Sequence, residues 1–276
     1  MANRSRCIAT LAIFLICYAT SSTSVAGQSR IAGGKKAAAN SAPFIVSLQK
    51  SEKGKNIHYC GGTILNANWV VTAAHCLSSK TLAYSTVLVA GSILVDGSTS
   101  TVQKRNIDYY VVHELFVGGI APYDIGLVYT KLAFKWTSAV GPAVLPKADS
   151  TPSGTASLYG WGSTSTTAAD KFPSSLQVVS SIPIITLSEC ENELGSHGSN
   201  LHDTNVCTGD SNSGISICKS DSGGPLIQGK TLVGIISWGK TPCGQKNSPS
   251  VYVRVSAFNS WIIKHQIAPK KMLMHF

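Results

Sequence analysis

An antiparallel all-β fold, sandwich or barrel, is what this 276-residue sequence predicts, and three observations predict it. Short runs of β-branched and aromatic residues recur along the chain, separated by Gly, Asn, Ser or Lys, with no helical patterns alternating between them. Only 13% of the residues are charged, too few for a disordered chain, a coiled coil or long solvent-facing helices laced with ion pairs. The 25 glycines are dispersed and accompanied by Ser and Thr, as turns between many strands require. The length admits one large domain or two ordinary ones with a substantial core.

The first thirty residues stand apart from that fold. Arg4 and Arg6 precede an apolar run from Ile8 to Ala19, and Ser24, Val25 and Ala26 place small residues where a signal peptidase cuts. The run falls short of the ~20 residues a membrane-spanning helix needs, and no second apolar stretch approaches that length. Residues 1–26 therefore read as a secretory signal, and the mature chain as an exported protein that needs no membrane.

Strands follow in order: Phe44–Leu48, Trp69–Val71, Val87–Val89 and Tyr109–Val112, then Ala156–Tyr159, Leu176–Val179, Leu232–Ile236 and Val251–Val253. Between the two groups, Ala139 to Gly154 carries Pro142, Pro146 and Pro152 and reads as a linker between halves. Only the end looks helical: Phe258, Trp261, Ile262 and His265 fall at helical spacing, with Ser256 as N-cap. Residues 268–276 form a short basic and apolar tail with no assigned role.

The formal charge of +10 excludes less than it suggests. Without residues 1–30 there remain 20 basic and 13 acidic side chains, a net charge of +7, mostly scattered Lys with no dense basic run. Nucleic acid is not an expected partner on that pattern, whereas anionic surfaces or glycans suit a cationic exported protein. Export also decides the cysteines. Cys7 and Cys17 leave with the signal; Cys60, Cys76, Cys190, Cys207, Cys218 and Cys243 remain, an even number in an oxidising compartment. Three disulfides are expected, in any of fifteen connectivities. No C-x-x-C pair exists, so neither a zinc site nor another metal or cofactor is expected.

Three motifs carry chemistry: Thr72-Ala73-Ala74-His75-Cys76, Tyr123-Asp124-Ile125-Gly126-Leu127 and Ser220-Asp221-Ser222-Gly223-Gly224-Pro225. A serine hydroxyl is a poor nucleophile at neutral pH. It becomes useful when an imidazole takes its proton and a buried carboxylate fixes the imidazole tautomer. Singly each motif is a weak signal, but in the order His, Asp, Ser within an exported β-rich chain they form a specific constellation.

On these motifs the chain resembles the secreted serine proteases of the chymotrypsin–trypsin family from Ile31 to about Gln266. Within it the chain is similar to the short-propeptide digestive proteases of insects and to fly-gut proteolytic lectins. The resemblance implies two six-stranded antiparallel β-barrels and a short C-terminal helix. Barrel one would span about 31–140, barrel two about 153–257, and the helix about 257–267, within a protease domain of 31–267. It implies the pairs Cys60–Cys76, Cys190–Cys207 and Cys218–Cys243, with Trp161 of Tyr159-Gly160-Trp161-Gly162 in a buried turn. His75 would be general base and then general acid, Asp124 its orienting carboxylate and Ser222 the nucleophile, with the amides of Ser220 and Ser222 as oxyanion hole. Ser237 and Gly239 would meet the substrate backbone, Ser237 also supporting Asp124. Cleavage after Arg30, ending a propeptide of residues 27–30, would free an ammonium on Ile31 to pair with Asp221; an Arg-specific protease would be the activator. Other implied partners are protein or peptide substrates and protein protease inhibitors, in an extracellular setting such as a gut lumen.

Two departures from the family pattern bear on activity. Ser220 stands where Gly is usual, so a Cβ sits beside the oxyanion hole. Ser216 stands at the expected floor of the specificity pocket, where trypsins carry Asp, and an unpaired substrate cation there would be costly. With Ile217 adding bulk, Gly239 leaving the mouth open and Ser250 narrowing the wall, the expected preference is for apolar residues such as Leu, Met or Phe, then small ones. Asp96 is the only acid from 91 to 101, so no calcium loop is expected there, and the one N-x-S/T sequon, at Asn3, lies in the signal. His113, His197 and His202 read as surface or structural. A second function class stays open beside the endopeptidase: a weakly active or non-catalytic binding protein, such as a sugar-binding proteolytic lectin.

Overall fold

The computed structural model describes residues 34–267, apart from 166, 168 and 210–213. The expected signal, Arg30, Ile31 and the tail from 268 lie outside the described residues. Two closed six-stranded antiparallel barrels make up the fold, so the expected class is the observed one.

The first barrel runs β2 (Ile45–Glu52), β3 (Lys55–Ile64), β4 (Trp69–Thr72), β7 (Gly126–Thr130), β6 (Gln103–Val112) and β5 (Val87–Ala90), which closes on β2. Val46, Leu48, Ile64, Val70, Leu88 and Leu127 are fully buried in it, the β-branched and leucine side chains that a pleated inward face packs best. In the second barrel the neighbours are β9 (Gln177–Ile185), β10 (Asn205–Thr208), β13 (Ser250–Arg254), β12 (Thr231–Gly239), β11 (Pro225–Gln228) and β8 (Thr155–Gly160), which closes on β9.

The barrels are stitched to each other. Strand β1 (Lys35–Lys36) begins the described chain yet pairs with β9 of the second barrel. Leu94 bridges to Ser175, Val144 to Thr231, and Trp161, 2% exposed, donates its indole N–H to the Ile93 carbonyl at 3.1 Å. Residues of both barrels, among them Phe44, Val140, Leu176 and Ile227, form one continuous apolar cluster.

Differences from the sequence-based expectation have local causes. Two helices besides the last are present, α1 (Lys80–Ser85) and α2 (Leu187–Leu194). The second begins with a reciprocal cap: Thr186 Oγ1 accepts from the Glu189 amide at 3.1 Å, and Glu189 Oε2 accepts from the Thr186 amide at 2.8 Å. That Thr-x-x-Glu spacing was the readable signal. Strand β3 passes so close to the loop of Ser222 that a Cβ on Gly61 would lie 2.7 Å from the Gly224 Cα; the glycines that permit the approach disguise the strand as a turn. The last helix, α3 (Asn259–Ile267), starts later than expected. Ser256 does not cap it but sits in a preceding 3-10 turn, its hydroxyl on the Ser150 carbonyl at 2.5 Å.

Three disulfides join Cys60 to Cys76, Cys190 to Cys207 and Cys218 to Cys243. They suit an oxidising compartment. Among the described residues, no helix is long and apolar enough to cross a membrane.

Candidate active site

His75 lies in the 3-10 turn Ala74–Leu77 that follows β4, and Asp124 in the tight turn before β7, so adjacent strands of barrel one bring them together. Asp124 is 2% exposed and its carboxylate is fully engaged. Oδ1 accepts from the His75 amide at 2.9 Å; Oδ2 accepts from His75 Nδ1 at 2.8 Å and from the Ser237 hydroxyl at 2.6 Å. Facing a carboxylate, Nδ1 carries the proton, which leaves the lone pair on Nε2.

Ser222 comes from barrel two, on the loop before β11. Its carbonyl accepts from the Gly61 amide at 2.7 Å and lies 3.7 Å from the sulfur of Cys76, the residue after His75. The Ser222 loop is thus docked against β3 and the His75 turn. Along that loop the amides of Asp221, Gly223 and Gly224 are bonded to the carbonyls of Cys218, Ile236 and Asp221. Among the described residues the amides of Ser220 and Ser222 have no such acceptor.

Ser220 has φ of +72°, the left-handed region that costs a side-chain-bearing residue about 1–2 kcal/mol. Its carbonyl accepts from His58 Nε2 at 2.9 Å, and His58 Nδ1 accepts from the Ser47 hydroxyl at 2.8 Å. Ser47 in turn accepts from Gln49 Nε2 at 3.0 Å. Burial pushes the His58 imidazole down to about 4, the bond to Ser220 opposing the shift only in part. His58 is therefore a neutral donor at ordinary pH, and barrel one holds the strained backbone of barrel two through it. No local motif in the sequence marks His58, Ser47 or Gln49; they meet only because β2 and β3 pair antiparallel.

Asp221 is 1% exposed, its Oδ1 accepting from the Gly162 amide at 2.8 Å and Oδ2 from the Cys218 amide at 2.9 Å. Among the described residues no cation pairs with it. Desolvation drives the carboxyl up to about 7, against the pull of those two amides.

Beside Ser222 opens a cavity of about 600 Å³, with Ile217, Ser237, Trp238, Gly239, Lys219 and Lys240 on its wall. Ser216 and Ser250, expected at its floor and wall, are 2% and 0% exposed and do not line it, whereas Ile217 does. The Ser216 hydroxyl accepts from the Gly244 amide at 2.7 Å, and that of Ser250 from the Ile217 amide at 2.9 Å. Ile217 runs directly under Gly239, its Cγ1 only 3.2 Å from where a Cβ there would be. Beyond Ile236, β12 has no β11 partner: Ser237 sits at a register shift and Trp238 and Gly239 pair with β13 alone, which leaves an edge toward the cavity.

Among known proteins, the family model Trypsin matches residues 31–262 of this chain. Lectizyme of Glossina austeni is 37% identical over 247 residues, covering 84% of this chain and 85% of its own. Trypsin delta of Drosophila melanogaster is 33% identical over 236 residues, covering 86% and 88%, and Kallikrein-1 of Mus musculus is 35% identical over 246 residues, covering 85% and 89%.

Proposed function

The chain belongs to the trypsin family of serine proteases, and from that premise we propose that it is exported as a zymogen and, once cut after Arg30, hydrolyses peptide bonds following uncharged apolar residues. It is a serine endopeptidase by family. The observation that carries the reading is the pair of hydrogen bonds that the backbone and ring of His75 donate to Asp124, with the Ser222 loop seated against Cys76. In this reading His75 Nε2 takes the Ser222 proton while Oγ attacks the scissile carbonyl carbon, then passes that proton to the departing amine. Water, deprotonated by the same imidazole, hydrolyses the acyl ester and frees Ser222. The unpaired amides of Ser220 and Ser222 would receive the negative oxygen of each tetrahedral intermediate. The open edge of Ser237–Gly239 would take the substrate backbone as an added strand.

For specificity, Ile217 outweighs Ser216. It fills the depth below Gly239 with hydrocarbon, and the one acid on the cavity wall among the described residues, Asp170, is already paired with Lys219, so a Lys or Arg side chain would lose its hydration without gaining a free counter-ion. Shorter apolar residues fit best, and Ile217→Gly is expected to move cleavage in a peptide library toward Phe and Tyr. An unchanged profile would remove Ile217 from this role. The central test is labelling of the Arg30-cleaved protein by a serine-directed phosphonate. One label per chain, abolished in Ser222→Ala, is expected; labelling that survives the substitution would overturn the assignment.

One relative favours a second reading. The 37% identity to a protein named Lectizyme fits sugar binding alongside proteolysis. Agglutination that a specific sugar inhibits and that persists in Ser222→Ala would support it.

A further inference from the structure

The catalytic turn is tied to the C-terminal helix by a cluster that the hydrolytic reading does not use. Tyr123, immediately before Asp124, has φ of +66°, a conformation that a bulky residue holds only when its surroundings over-determine it. The Tyr123 carbonyl accepts from the Ile125 amide at 2.7 Å, so Asp124 is the middle residue of a three-residue turn. The Ile125 carbonyl accepts from the His113 amide at 3.1 Å, which brings the His113 ring over the same turn.

That ring is the centre of a stack. Tyr123 lies on one side, with centroids 4.9 Å apart and planes 21° from parallel, and Trp261 of α3 lies near it at 5.0 Å and 29°. Phe258 meets both His113 and Tyr123 edge-on, at 5.5 and 6.1 Å. Glu114 contacts both Trp261 and its neighbour on α3. Glu114 Oε2 accepts from the Trp261 indole at 2.8 Å, while Oε1 lies 3.2 Å from His265 Nε2. His265 Nδ1 donates to the Trp261 carbonyl at 2.9 Å. Desolvation raises the Glu114 carboxyl, but its hydrogen bonds and the two histidines outweigh this and leave it below the ordinary range. The carboxylate is therefore charged, and it is the strap between the strand end that leads to Asp124 and the last helix.

We propose that Glu114 is a positioning residue for Asp124: it straps Trp261 over His113 and Tyr123, and the closed stack holds the strained peptide that aims the carboxylate at His75. The inference rests on the reading of Asp124 as the orienting carboxylate. The Glu114 side chain is 58% exposed and contributes no core packing, so its removal tests the strap rather than the fold.

The test is steady-state kinetics of the cleaved enzyme on a peptide substrate, with melting temperatures, for wild type, Glu114→Ala, Glu114→Gln and Asp124→Asn. Glu114→Ala is expected to lower kcat about tenfold and leave KM within about twofold, because a misaimed catalytic group costs turnover and not ground-state binding. Glu114→Gln restores kcat, since its amide oxygen still accepts from the Trp261 indole. In a Tyr123→Asn background, where the residue tolerates the left-handed region, Glu114→Ala loses its effect. Unchanged kcat in Glu114→Ala, with or without a lower melting temperature, overturns the proposal, as does a full effect in the Tyr123→Asn background. Activity unchanged in Asp124→Asn overturns the reading of Asp124 itself and the strap with it.

Discussion

Ser220 shows how one side chain can be tolerated where the backbone disfavours it. At φ of +72° the serine keeps an amide free beside Ser222, and the bond from His58 fixes its carbonyl. Ser220→Gly removes the strain without moving the amide, so urea unfolding is expected to show a gain of about 1 kcal/mol. Asp221 gives a pH signature. Its folded-state carboxyl titrates at about 7, above the ordinary value of an unfolded chain, so the folded state binds the extra proton. Its contribution is therefore full below the unfolded value and lost as pH rises through 7. For chains left uncut at Arg30, wild type is expected to lose about 4 kcal/mol relative to Asp221→Asn between about pH 4 and about pH 8. Parallel stability curves for the two chains would contradict this.

At the scale of elements, legibility followed locality. The three motifs could be read because each is contiguous: His75 and Cys76 share a turn, Asp124 opens an apolar strand, and the run Ser220 to Pro225 is one loop. Strands with β-branched runs, such as β5 and β13, were equally visible. What could not be read was made by pairing between distant segments. His58 gains its role from strand register, and Ile217, not Ser216, comes to line the cavity through its packing under Gly239, a residue distant in sequence. The polar helix α2 hid because its face is acidic and short, although its cap was spelled out. Thr186→Ala removes that cap and is expected to cost about 1 kcal/mol by thermal or urea unfolding.

Across the whole molecule, the shared apolar cluster and the pairing of β1 with β9 join the two barrels. Far-UV circular dichroism and tryptophan fluorescence are expected to report a single coincident unfolding transition; two separated transitions would show the barrels to be independent. The Cys190–Cys207 bond ties α2 to β10 across a sequence separation of 17, and replacing both cysteines with Ala is expected to lower stability by about 3 kcal/mol.

The Asp221 carboxylate also dictates what its neighbours can become. A Cβ built on Gly160 would lie 2.0 Å from its Oδ1, and one on Gly162 would lie 2.3 Å from its Cγ. The two glycines form a socket shaped to that acid, with no volume left for even a methyl group. A library randomised at both positions and sorted for proteolysis would return the starting residues, whereas a library at Gly229, where nothing lies within 4 Å, would be free of that steric constraint.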